Sequence, residues 1–261
     1  MYRQYIDGPN GQVHFVESGA GEAVLLFHQT ASSSVMWNRV MPLIAEKYRV
    51  IAIDTPGFGL SDPPESPACM QDYTGAALAV LNATGIEKAH AVGFHTGASI
   101  ALDLAARYPD RAVSAVLAGI LAIETDEEMD RWRREIIKPW EPDGQGKFAE
   151  DQADFLKSFL PEDDGELLLG ELLARLQAGP NYWWAYQALI EHRPYELISQ
   201  LTNPVLVLNP VEDMLVRETK RFYSLLKNAK YVEIPGGVVA ASDHPNEFAF
   251  AVTDFLDGLV R

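Results

Sequence analysis

Hydrophobic residues along the chain follow two rhythms. Short unbroken apolar runs, such as Ala23-Val24-Leu25-Leu26-Phe27, alternate with stretches where apolar residues recur every three or four positions. A run of this length without polar alternation predicts a strand buried on both faces. Residues 12–17 and 23–28 read as two short strands around the tight connection Gly19-Ala20-Gly21, the second of them of this buried kind. A helix pattern through Trp37, Val40, Leu43 and Ile44 leads to a strand from Tyr48 to Ile53. Further on come a helix over 71–84, a strand ending at Gly93, a helix over 96–107 and a strand over 112–121. From about 124 to 200 the strand rhythm stops and only helices are predicted. Asn203 to Leu208 resumes the sheet, followed by a helix to about Lys227, a strand over 231–234 and a loop from Gly236 to His244. Pro245 opens a closing amphipathic helix to Leu259, where a first-turn proline is well tolerated. Strand and helix alternate at the spacing of right-handed crossovers, so the sheet should be mostly parallel. The pattern divides the chain into a core of residues 1–123 and 201–261 and an all-helical insertion of residues 124–200.

Composition narrows the function classes. Net charge is −16, and such a surface repels nucleic acid and anionic membranes. The segment 124–171 holds 16 acidic and 6 basic residues, so most of the excess lies on the insertion as a solvated helical surface. No apolar run approaches the ~20 residues of a bilayer span, and Met1 to Tyr5 lacks a signal-peptide core. The single cysteine, Cys69, lies in a Pro-rich loop; it excludes an internal disulfide and fits a cytoplasmic location. A small-molecule substrate is the expected partner, and no pattern fixes the oligomeric state.

The chemistry concentrates where the strand at Ala89 meets the helix at Thr96. There the chain reads Gly93-Phe94-His95-Thr96-Gly97, a Gly-x-His-x-Gly in place of the better-known Gly-x-Ser-x-Gly. In that pattern the central side chain is thrust outward on a strained strand-to-helix turn. Small flanking residues are required because the two backbones nearly touch, and His is among the side chains enriched at positive φ. Residues 182–190 carry a second signal. Tyr182, Tyr186 and Leu189 share one helix face and Trp183, Gln187 and Ile190 another. A helix aromatic on two faces needs a partner on each, as a lid between an outer helix and a ligand pocket would have.

Four segments, in order, resemble the α/β-hydrolase family over essentially the whole chain. His28 to Trp37 is similar to its oxyanion loop and Asp54 to Asp62 to its Asp-x-x-Gly-x-Gly-x-Ser segment. Residues 93–97 resemble its nucleophile elbow, and Asn209 to Val216 its acid loop. The resemblance implies an α/β fold with a mostly parallel sheet of about eight strands, helices on both faces and a helical cap over 124–200. It puts the triad acid at Asp213 and the nucleophile position at His95. The family's histidine position falls on Val238-Val239-Ala240-Ala241, while His244 stands directly before Pro245, where a rearranged loop could still swing it inward. The oxyanion hole would use the backbone N–H groups of Thr30 and Thr96. Gln29 replaces the family's glycine and either faces water or places an amide in the site. By the same resemblance His28 packs beneath the loop. Ser99 is expected to bond a preceding helix carbonyl, and Ser32 to Ser34 to begin or cap the next helix.

Without an elbow serine the usual acyl-enzyme route is closed. An imidazole titrates near neutrality, and the small residues at the histidine position leave room for His95 to reach Asp213. A carboxylate on one ring nitrogen would fix the tautomer and raise the basicity of the other. That nitrogen could activate water for hydrolysis of an ester, lactone, amide or activated C–C bond, with an acyl-imidazole as the less favoured variant. The alternatives are a lyase, isomerase or cyclase using His95 to abstract a substrate proton, and a catalytically inactive binding protein of the same fold. Metal binding by His95, Asp213 and His244 is disfavoured, since their spacing matches no zinc pattern. No cofactor is expected. Trp183, Trp184 and Tyr186, with Gln29, are the expected substrate contacts, pointing to a small apolar or aromatic substrate.

Overall fold

The computed structural model describes residues 1–259. Its strands are β1 (Tyr2–Gly8), β2 (Gly11–Ser18), β3 (Ala23–Phe27), β4 (Arg49–Ile53), β5 (Ala89–Phe94), β6 (Ala112–Ala118), β7 (Val205–Pro210) and β8 (Ala229–Ile234). They form one eight-stranded sheet in the order β1-β2-β4-β3-β5-β6-β7-β8. β2 runs antiparallel to β1 and β4, and every other pairing is parallel.

The inner strands read as unbroken apolar runs because both of their faces are covered. Leu25 and Phe27 of β3 face one core with Ala91, Leu117 and Val207; Val24 and Leu26 face the other with Val92, Val116 and Leu206. The first core is closed by α2 (Met70–Ala83) and α3 (Thr96–Arg107), after the short α1 (Met41–Ile44) on the opposite face. Five helices then lie between β6 and β7: α4 (Asp126–Ile136), α5 (Lys147–Lys157), α6 (Gly165–Ala178), α7 (Trp183–Glu191) and α8 (Pro194–Leu197). After β7 come α9 (Val216–Tyr223), α10 (Ala240–Asp243) and α11 (Pro245–Asp257), the last packing Phe248, Val252 and Phe255 on the second core.

The five helices are tied to the sheet by polar contacts as well as apolar ones. Arg39 donates to Asp164 at 2.6 Å, Arg221 to Glu128 at 2.7 Å, and the buried Asp103 receives Thr74, Arg107 and His192. Among the described residues no helix is long and apolar enough to cross a membrane.

Several boundaries differ from those the sequence pattern predicts. β1 is absent from the pattern because this edge strand is largely exposed, so it has no buried face to mark it. The helix expected through Trp37 and Ile44 divides into a 3-10 turn, Ser34–Trp37, and α1. The strand expected to reach residue 121 stops at Ala118, where Gly119 turns to φ +56°. The helix expected to run to Lys227 ends at Tyr223, and the expected loop 236–244 holds α10.

Candidate active site

The C-terminal edge of the parallel strands gathers the polar residues. β5 ends at Phe94 and α3 begins at Thr96, leaving His95 alone to make the turn, with φ +49° and ψ −110°. It is the only non-glycine residue at positive φ among the described residues, and such a backbone costs on the order of 1–3 kcal/mol. The glycines on either side permit the close approach. A Cβ on Gly93 would collide with the carbonyl of Gly97, and one on Gly97 with the carbonyl of Phe27.

This turn aims the imidazole at the loop after β7. His95 Nε2 lies 2.8 Å from Asp213 Oδ2, and Asp213 Oδ1 accepts the backbone N–H of Leu215 at 2.8 Å. A carboxylate can only accept, so Nε2 carries a hydrogen, and in the neutral imidazole Nδ1 then holds the lone pair. Among the described residues Nδ1 has no protein partner, and it is not sealed from solvent. The space for this reach comes from Gly119, the residue after β6. A Cβ there would stand 2.6 Å from His95 Cδ2 and 2.9 Å from Nε2. The resemblance assigns that role to the small residues at 238–241; Val238 and Val239 line the cavity, whereas Ala240 and Ala241 are buried in the second core.

The loop that follows β3, from His28 to Ala31, is held from below. His28 Nδ1 donates to the carbonyl of Gln29 at 2.8 Å, while Nε2 accepts the N–H of Thr55 at 3.1 Å. Burial drives the His28 pKa down, in keeping with a neutral ring. Tyr186 Oη donates to the carbonyl of Thr30 at 2.8 Å, and Thr30 Oγ1 donates to Thr96 Oγ1 at 3.0 Å. The backbone N–H groups of Thr30 and Thr96 find no protein acceptor among the described residues.

His95, Gln29 and Thr30 open onto a cavity of about 850 Å³, walled on the far side by α5, α6 and α7. Gln29 is buried and lines this cavity instead of facing bulk water. Tyr186 lines it, together with Tyr182 one turn earlier. Trp183 and Trp184 do not. Trp183 packs on the first core, and Trp184 lines a small separate pocket with Phe58 and Tyr73. One stripe of α7 faces the cavity, and the tryptophans lie off it.

His244 is outside the cavity lining as well. Its Nε2 lies 3.4 Å from Asp243, and its Cδ2 fills the space beside Gly236. Ser99 is fully buried and its hydroxyl has no partner, so the expected carbonyl bond is absent. Ser33 caps the 3-10 turn through the N–H of Val35, while Ser32 turns inward and donates to Glu171 Oε1 at 3.1 Å.

Three cavity residues escape the sequence pattern altogether. Gln152, Glu171 and Arg175 are buried polar residues on α5 and α6. Burial pushes the Glu171 carboxyl up to about 7, against its Ser32 bond and the nearby Arg175 cation. Glu171 and Arg175 are four residues apart, the spacing of a solvated helix pair. The available clue was their place in the stripe Leu167-Glu171-Ala174-Arg175, which is the buried face of α6.

Comparison with known proteins agrees with this architecture. The family model described as alpha/beta hydrolase fold matches residues 22–238. A 2-hydroxy-6-oxo-6-phenylhexa-2,4-dienoate hydrolase from Burkholderia cepacia is 34% identical over 119 residues, 42% of this chain; the match spans 40% of that relative's length. A 2-(acetamidomethylene)succinate hydrolase from Mesorhizobium japonicum is 25% identical over 92% of this chain and 90% of its own. Among solved structures, a hydrolase from Pseudomonas aeruginosa superposes with a TM-score of 0.84 at 19% identity, covering 97% of this chain and 98% of its own.

Proposed function

The chain belongs to the alpha/beta hydrolase fold family, and from that premise we propose that it hydrolyses a small molecule with His95 as general base. Residues 124–200 act as the cap and Asp213 orients the ring. The observation that carries this reading is the 2.8 Å contact of His95 Nε2 with Asp213, in a residue that lines the cavity and whose Nδ1 is bonded to no other described residue. The relatives matched by sequence are hydrolases of small molecules, which supports the same class.

In this mechanism Nδ1 takes a proton from a water molecule as its oxygen attacks the substrate carbonyl carbon. The carbonyl electron pair moves to oxygen, which the N–H groups of Thr30 and Thr96 stabilise. Asp213 stabilises the imidazolium as it forms. Collapse of the tetrahedral intermediate expels an alkoxide, amine or enolate, which recovers the proton from Nδ1. No atom of the protein becomes acylated. A serine hydroxyl is not needed because the water is itself the nucleophile, and a longer side chain on the elbow brings the base to it.

The test is a panel of aryl esters, lactones and amides, with products identified by mass. The reading expects products that have gained the elements of water, at rates abolished in Asp213→Asn. Turnover without addition of water would instead favour proton abstraction in a lyase or isomerase. Tight binding of the panel with no turnover would favour a binding protein.

A further inference from the structure

We propose that Arg175 is an anion-binding residue in the cavity wall and that the substrate carries a carboxylate seated on its guanidinium. This deepens the hydrolase reading, resting on it for the reaction but not for the binding.

Arg175 is 7% exposed, and burial of a guanidinium without an ionised partner is costly. Its geometry is fixed in advance. Nε donates to Gln152 Oε1 at 2.6 Å, and the guanidinium carbon lies 4.5 Å from the Phe155 ring centroid and 4.8 Å from that of Tyr182. These contacts hold the plane of the fork while leaving its terminal nitrogens free of any carboxylate among the described residues. Arg175 lines the cavity, and its side chain is hydrogen-bonded to the hydroxyls of Tyr182 and Tyr186. The neighbouring hydroxyls of Tyr182 and Tyr186 already donate to the carbonyls of Lys138 and Thr30, so either can accept from the fork without neutralising it.

The acid that feels its charge is Glu171, one turn earlier on α6. It makes no ion pair with Arg175 within 4 Å, and its elevated pKa leaves it partly neutral near pH 7. The other charged groups of the lining, Glu135, Lys138, Glu212 and Asp243, are exposed and solvated at the rim. Arg175 is therefore the buried cation of the cavity, and its planar fork matches a planar carboxylate with two parallel hydrogen bonds. A monoanion balances it. A phosphate dianion would overcompensate one guanidinium beside a titratable carboxyl. Apolar residues such as Leu156 and Phe159 line the same wall, so the substrate combines a carboxylate end with an apolar body, its reacting carbonyl directed toward His95.

Isothermal titration with phenylpropionate and phenylbutyrate, against phenylpropanol and phenylbutanol, tests the seat without any turnover. The wild-type protein should bind the acids on the order of 10- to 100-fold more tightly than the alcohols, the range for hydrogen bonds to a charged group. Arg175→Gln should erase that preference while leaving alcohol affinity within a few-fold. Arg175→Lys, which keeps the stem and charge but loses the fork, should retain part of it. Should Arg175→Gln not fold, the wild-type preference and its partial retention in Arg175→Lys still decide. Equal binding of acids and alcohols by the wild type, no binding of either acid, or a preference undiminished in Arg175→Gln would overturn the proposal. A parallel assay with monophenyl adipate and methyl phenyl adipate separates the two readings. An acid preference in binding, with neither ester hydrolysed, removes the hydrolase reading and leaves the seat. Equal hydrolysis of both esters with no acid preference removes the seat and leaves the hydrolase.

Discussion

Replacing Gly119 by alanine should disable the site without touching either member of the His95–Asp213 pair. The added Cβ would lie 2.6 Å from His95 Cδ2, 2.9 Å from His95 Nε2 and 3.5 Å from Asp213 Oδ1. Carbon atoms in contact sit about 3.5–4.0 Å apart, so the ring must retreat by roughly 1 Å. A ring moved that far from a 2.8 Å contact leaves the 2.7–3.2 Å range of a good N–H···O bond. The backbone adds a second cost, because φ is +56° at Gly119 and a left-handed alanine is about 1–2 kcal/mol less favourable. Urea denaturation should therefore show a loss of about 1–3 kcal/mol, with the cooperative transition retained. Activity should fall much further. An unoriented base loses ~10²- to 10⁴-fold in rate, and the loss should appear in kcat with KM little changed, since Gly119 is not in the cavity lining. Steady-state kinetics on any ester the protein hydrolyses would read both parameters. A folded Gly119→Ala protein with wild-type kcat would refute the claim that the His95–Asp213 contact matters for turnover.

Other perturbations probe the surroundings. The folded-state pKa of Glu171 is raised from 4.5 to about 7, so the native state holds this proton more tightly than the unfolded chain and stability falls as pH rises through that window. The penalty is about 3 kcal/mol when complete; Glu171→Gln should stabilise the protein by up to that amount at about pH 8 and by almost nothing at about pH 4, with equal gains at both pH values contradicting it. Tyr186→Phe removes the hydrogen bond to the carbonyl of Thr30, leaving a buried acceptor unsatisfied at a cost of about 1–3 kcal/mol, and it should slow turnover by loosening the oxyanion loop. A variant as stable and active as wild type would exclude that role. A fluorophosphonate probe should leave the protein unlabelled, because Ser99 is fully buried and Ser32 is engaged with Glu171; stoichiometric labelling at either would show that a serine carries the chemistry.

The fold was legible because its strongest signals are local. The apolar runs of β3 and β5 have both faces buried, and Gly93 and Gly97 mark a backbone crossing that few other residues survive. The meeting of His95 with Asp213 could be expected from motif order, but not the means of it. The room comes from Gly119, whose significance depends on where a ring 24 positions earlier in the chain points. The far wall was the least legible. Glu171 and Arg175 have the spacing of a surface pair and lie in the most acidic part of the chain. Only the packing of α6 against α5 and the loop after β8 turns that face inward. On α7 the periodicity is visible in the sequence but does not say which stripe faces the cavity; it is the stripe of Tyr182 and the expected Tyr186, and not that of Trp183 and Trp184.

The central claim is that the imidazole of His95 supplies the base. Replacing it by glycine leaves the elbow free of strain at φ +49° and opens a ring-sized space beside Gly119 and Asp213. The measurement is the hydrolysis rate of His95→Gly on an ester turned over by the wild type, with and without added imidazole. The account predicts a variant that is folded, slower by ~10²-fold or more, and accelerated in proportion to free imidazole until the space is saturated. Rescue should be lost in the double variant with Asp213→Asn. A His95→Gly protein as active as the wild type, indifferent to imidazole, would contradict it.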